Sequence, residues 1–111
     1  MDSEEKIQSA FFVSFHNKYP SYRGLLCYNL NNSRNKVDGA RNKALGLQAG
    51  RSDMEFYWKG KTYFMEFKNE IGVQSPGQKL WEFLIKSQGF YYGIFKSASE
   101  ALKFIDDIIN E

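Results

Sequence analysis

The chain has one cysteine, one histidine and two prolines among its 111 residues. A lone Cys27 excludes an internal disulfide and fits a reducing cytosol. One cysteine and one histidine cannot supply the four ligands of a structural zinc site within one chain. Any metal is therefore expected to be hard and oxygen-ligated, such as Mg²⁺ or Mn²⁺. No apolar run approaches the roughly 20 residues of a membrane span. The opening Met1-Asp2-Ser3-Glu4-Glu5 is too acidic for a signal peptide, so a cytoplasmic location is the expectation. Repeats and low-complexity tracts are absent as well. Charge is nearly balanced, with 15 Lys and Arg against 13 Asp and Glu and a net +2. What the chain does have is a core: 42% of its residues are hydrophobic and 17% aromatic. At this length a single domain over residues 1–111 is expected.

The pattern predicts the order α-β-β-β-α-β-α, a mixed sheet flanked by helices. Ser3 can cap a first helix to about Lys18, with Ile7, Phe11 and Phe15 along one face, and Pro20 ends it. Leu25–Tyr28 is a short strand. A polar connection from Asn29 to Gly50 follows, with room for a helical turn at Ala40–Leu45. Asp53–Trp58 and Lys61–Lys68 read as a hairpin around Lys59-Gly60. Met54, Phe56 and Trp58 would then face the core, with Asp53, Glu55 and Tyr57 on the other side. Ser75-Pro76 starts a second helix with a predicted buried stripe of Leu80, Trp81, Leu84 and Ile85. Phe90–Phe95 reads as a strand covered on both faces. Ser97 and Glu100 form a capping box for a last helix that turns Ala101, Leu102, Ile105, Ile108 and Ile109 to the core. Strand, helix, strand from Tyr63 to Phe95 makes a βαβ crossover.

Within this frame Asp53 and Glu66-Phe67-Lys68 carry the chemistry. Side chains alternate along a strand, so Glu66 and Lys68 point the same way about 7 Å apart. The Phe67 carbonyl remains available as a third hard ligand beside the two carboxylates. A charged pair inside an aromatic strand is costly without partners or a task. Two acids and an ammonium converging there can hold a divalent metal against a phosphodiester. Immediately upstream, Arg34, Lys36, Arg41, Lys43 and Arg51 face only Asp38, in a stretch that contains Gly39, Gly46 and Gly50. Such a stretch suits a polyanion, because Lys and Arg displace counterions from phosphate. Arg41, Lys43 and Arg51 are its candidate DNA contacts, and a solvated surface loop is the plainer account. Tyr22, Tyr28 and Tyr57 are candidates for stacking on an unpaired base. His16 and Glu70 read as surface residues, Cys27 as core.

The runs Gly46-Leu47-Gln48-Ala49-Gly50-Arg51-Ser52-Asp53, Glu66-Phe67-Lys68 and Ser75-Pro76-Gly77-Gln78-Lys79-Leu80-Trp81 resemble the PD-(D/E)xK nuclease superfamily. Within it, the chain is most similar to stand-alone VRR-NUC domains of phages and bacteria. The likeness extends to Gly89-Phe90-Tyr91 and Ser97–Leu102, and Ser52 departs from it by standing where the family usually has Pro. The resemblance implies a restriction-endonuclease-like α/β core. It also implies a phage or bacterial endonuclease that hydrolyses branched or structured DNA in recombination or repair, as Holliday junction resolvases do, probing shape as a homodimer. Asp53, Glu66 and the Phe67 carbonyl would hold Mg²⁺ or Mn²⁺, one ion or two. Lys68 would orient the attacking water or stabilise the transition state. Gln78 matches a glutamine that helps position Lys68 or the nucleophile, and Ser75-x-x-Gln78 is equally a capping box; the two are not exclusive. Glu5 matches a first-helix acid that approaches the metal. Glu4 competes for that place, and the helix macrodipole alone favours an acid there. The alternatives are a flap or nicking nuclease, and a catalytically silent DNA-binding module.

Overall fold

Ser3 opens the first helix as its side chain predicts: its hydroxyl accepts from the Lys6 N–H, and α1 runs Glu4–Lys18. In the computed structural model, which describes residues 1–30 and 35–111, a 3₁₀ helix at Pro20–Leu25 follows. Then come β1 (Leu26–Tyr28), α2 (Lys36–Ala44), β2 (Met54–Trp58), β3 (Lys61–Phe67), α3 (Pro76–Ser87), β4 (Tyr91–Phe95) and α4 (Ala98–Ile109). Arg34 of the basic stretch lies outside the described residues. The four strands lie in the order β1-β2-β3-β4. The first three pair antiparallel, and β3 pairs parallel with β4 through the α3 crossover. The sheet is mixed and flanked by helices, as expected. Lys59 (φ 47°) and Gly60 (φ 80°) make the hairpin turn, whose left-handed backbone matches the twist of the strands it joins.

The core lies between one sheet face and the pair α1 and α4. Phe11 and Phe15 from α1 meet Phe56, Met65 and Phe67 from the sheet and Ile105 from α4, all fully buried. Losing one such phenylalanine costs about 3 kcal/mol or more, a sizeable part of a small domain's stability. Asp106 of α4 ties the two helices together, accepting from Lys18 at 2.9 Å and from the Tyr19 hydroxyl. No described helix is long and apolar enough to cross a membrane.

Four local expectations are corrected. Leu25 belongs to the 3₁₀ helix, because Pro20 begins a tight coil rather than a loop. The connection before Asp53 holds a nine-residue helix, α2, not a single turn; Asn35 caps it, and none of its residues is buried. The predicted stripe on α3 is only half right. Trp81 packs edge-on against Phe64 and Tyr92, and Ile85 is half-buried, but Leu80 is 71% and Leu84 55% exposed. At 100° per residue the apolar arc from Phe83 to Ile85 spans about 200°, wider than the sheet can cover. Finally, β4 is an edge strand, not one covered on both faces, and it leaves Tyr91 and Ile94 exposed.

Candidate functional site

The register Met54↔Met65, carried one residue on, sets Asp53 across from Glu66. Directly opposed residues of an antiparallel pair share a face with their Cβ atoms about 5 Å apart. Asp53 confirms this proximity: its Oδ2 accepts the Phe67 N–H at 2.7 Å. Lys68 follows two residues after Glu66, and its N–H bonds the Phe95 carbonyl at 3.0 Å, which anchors it beside the end of β4. Asp53, Glu66 and Lys68 therefore meet on the α3 side at one end of the sheet.

Glu66 is fully buried, an unusual place for a carboxylate. Its Oε1 accepts from the Tyr92 hydroxyl and from Gln74 Nε2 at 3.0 Å. Burial, then the Glu66 hydrogen bond, push the Tyr92 hydroxyl well above its usual range, so it remains a proton donor. Oε2 is different. Among the described residues it has no hydrogen-bond partner, and it is ion-paired with the Lys68 ammonium 3.6 Å away. An ion pair without a hydrogen bond leaves a buried carboxylate oxygen incompletely satisfied, and a metal cation in direct contact would complete it. The chemistry of the donor set fits: two carboxylates and a backbone carbonyl are the hard oxygens Mg²⁺ prefers. Among the described residues no cluster of three His, Cys, Asp or Glu side chains is placed to hold an ion. The carbonyl and solvent are needed to complete any shell.

Lys68 is itself buried, and Gln78 Oε1 accepts from its ammonium at 3.0 Å. The same oxygen accepts the Ser75 N–H at 2.8 Å, while the Ser75 hydroxyl accepts the Gln78 N–H at 3.2 Å. Gln78 thus both closes the capping box and orients Lys68. The acid that α1 brings to the ammonium is Glu4, 3.8 Å away. Glu5, one residue on and turned about 100° around the helix, lines a different cavity beside β1.

The loop before Asp53 is held by polar groups that the sequence left unread. Glu55, on the same face as Asp53, is buried and accepts from Arg51 at 2.8 and 3.0 Å and from Asn29 at 3.3 Å. Asn29 also donates its backbone N–H to the Asp53 carbonyl at 2.9 Å. Ser52, where proline was expected, is fully buried with its hydroxyl on the Met54 carbonyl. Hydrogen bonds rather than a ring set this turn. Of the proposed DNA contacts, Arg41 and Lys43 stand exposed in the last turn of α2, while Arg51 is joined to Glu55. Tyr92, Gln74 and Asn29 had no signal of their own. Only the β3–β4 register and the loop path bring them to the carboxylates.

Gly50 explains the glycine run ahead of the site. Its φ is +81°, and an added Cβ would lie 2.6 Å from the backbone of Gly77 in the first turn of α3. Gly50→Ala is therefore expected to lose about 3 kcal/mol, read as a lower urea midpoint with an unchanged slope. A midpoint within error of wild type would show that the loop relaxes freely.

No protein-family model matches the sequence. No curated protein is similar to it. Among solved structures, the chain is similar to a protein described as a VRR_NUC domain protein, with a TM-score of 0.81 over 99% of this chain and 90% of that one. Their sequences are 14% identical, so the likeness is one of architecture. The chain has the fold of that VRR_NUC domain protein.

Proposed function

We propose that this chain is a metal-dependent DNA endonuclease that cuts branched or structured DNA in the manner of a Holliday junction resolvase. The observation that carries the reading is the buried Glu66 carboxylate, one oxygen without a hydrogen bond among the described residues, opposite Asp53 and ion-paired with Lys68. The nuclease name of the fold neighbour supports it.

Asp53, Glu66 and the Phe67 carbonyl would hold Mg²⁺ or Mn²⁺, with Glu4 the nearest additional acid around Lys68. When bound, such an ion supplies Lewis acidity toward phosphate and a more acidic water. The chain's own residues do the rest. Tyr92 and Gln74 lock the Glu66 carboxylate in one rotamer, so no reorganisation is needed as charge develops. Gln78 aims the Lys68 ammonium into the cluster, where it stabilises negative charge on phosphorus oxygens or orients the attacking water. Arg41 and Lys43 present positive charge to the DNA backbone.

A resolvase needs two sites facing the two symmetry-related, diametrically opposed strands of the junction, which a two-fold dimer supplies. The stripe of α3 that the sheet leaves uncovered, Leu80, Phe83 and Leu84, supports that arrangement. A stripe along one helix can pair with its own copy across a two-fold axis. Phe83→Glu is expected to turn the dimer into a monomer by light scattering and to uncouple the paired nicks. A wild-type monomer at micromolar concentration would refute the dimer.

Incubation with supercoiled plasmid and a synthetic four-way junction, in Mg²⁺, Mn²⁺ or EDTA, tests the reading. Metal-dependent, symmetric paired nicks are expected at the junction. Cutting confined to flaps would make it a flap nuclease, and binding without cutting would make it a DNA-binding module.

A further inference from the structure

On the other side of the α1 N-terminus from Lys68, a cavity of about 550 Å³ lies between α1 and the edge strand β1. Leu26 and Met54, both buried, form its base. Phe12 lines it, with the Arg23 guanidinium 5.2 Å from the ring centre. Glu5, Gln8 and Ser9 bring polar groups to it from α1. Tyr28 stands at its edge, 66% exposed and without a ring partner among the described residues. The cavity opens on the sheet face opposite the carboxylates and approaches them at the strand ends. Tyr28 pairs with Met54, next to Asp53, and Asn29 bonds the Asp53 carbonyl. Neighbouring strands are about 4.8 Å apart.

We propose that this cavity receives an unpaired nucleobase from the strand whose phosphate lies at Asp53 and Glu66, an inference that rests on the nuclease reading above. The lining selects that ligand. An apolar base and an unpartnered tyrosine ring suit a flat π-system, which every nucleobase offers. A glutamine amide carries both a donor and an acceptor, and a carboxylate accepts from an exocyclic amine or ring N–H. Phosphate is disfavoured by Glu5 and by the apolar floor. A paired base is excluded because its faces are already stacked and its edge is already bonded. The other two candidate tyrosines do not line this cavity: Tyr22 packs on Tyr19 and Trp58, and Tyr57 stands on the far face of the sheet from it. Flaps, bulges and junctions whose crossover pairs have opened expose such bases and continuous duplex does not, so the cavity gives the chain a local means of recognising structure.

The test is binding in Ca²⁺ to a duplex carrying one unpaired nucleotide, scanned along one strand, against the same duplex with that base removed. Wild type is expected to prefer the intact base by about tenfold at one register. Tyr28→Ala is expected to lose the preference, and Tyr28→Phe to keep it. Equal affinity with and without the base, or a preference that survives Tyr28→Ala, would overturn the proposal. Nicking of the same oligonucleotides in Mg²⁺ separates the two readings. Cutting without base preference removes the pocket and leaves the nuclease; base preference without cutting leaves a nucleobase site and removes the nuclease.

Discussion

Replacing Glu66 by glutamine is expected to lower metal-dependent cleavage by about three orders of magnitude while leaving the fold intact. The substitution preserves shape. A glutamine oxygen can still accept from Tyr92 and Gln74, the two donors that fix Oε1. What changes is the other terminus. Where Oε2 now lies buried, ion-paired with Lys68 but without a hydrogen bond among the described residues, an amide NH₂ would face the ammonium and any incoming cation. The effect should appear without turnover as well. Mg²⁺ at a hundred times its dissociation constant stabilises a protein that binds it only when folded by about 2.7 kcal/mol. Thermal unfolding of wild type should therefore move upward with added Mg²⁺, and that of Glu66→Gln should not. A variant that cuts at the wild-type rate, or gains the same stability from Mg²⁺, would remove the metal from this carboxylate.

Lys68→Met should impair the protein twice. The ammonium is buried among Glu66 at 3.6 Å, Glu4 at 3.8 Å and the Gln78 oxygen at 3.0 Å. Taking away one partner of a buried ion pair leaves the other desolvated and uncompensated, a loss of about 3 kcal/mol. Cleavage should fall about a hundredfold or more, because charge developing on phosphorus oxygens loses a positioned cation. The two losses are separable. In metal-free buffer, the double variant Glu66→Gln with Lys68→Met should be more stable than Lys68→Met alone, since no unpaired carboxylate remains. Additive destabilisation in that cycle would mean that the pair does not interact. A Lys68→Met protein that cuts normally would give the ammonium a purely structural role.

Much of this arrangement is legible in the chain because its causes are local. Ser3, Ser75 and Ser97 open helices at the predicted positions, each accepting the N–H three residues on. The turn at Lys59-Gly60 follows from the left-handed backbone a two-residue hairpin requires. Period-two alternation puts Glu66 and Lys68 on one side of β3. The hairpin register then sets Asp53 opposite them, so three separated letters became one cluster before any coordinates. Exposure on α3 was not legible. Leu80 and Leu84 have the spacing of a buried stripe, and only the width of the sheet face decides which side of a broadly apolar helix is covered. The burial of Glu55 was hidden too, since its partners Asn29 and Arg51 come from the segment just after β1 and from the loop before β2.

The amino-acid order alone determined α1, α3 and α4 with their serine caps, the four strands, and the placing of two carboxylates and an ammonium on one sheet face, because strand alternation and capping act over two to four residues. Tertiary structure decided what surrounds them. It chose Glu4 over Glu5 as the helix acid beside Lys68, brought Tyr92 and Gln74 onto one oxygen of Glu66, and left the other with no hydrogen bond among the described residues. These outcomes depend on how a helix is rotated and how distant strands align, and such long-range packing leaves no periodic trace in the chain.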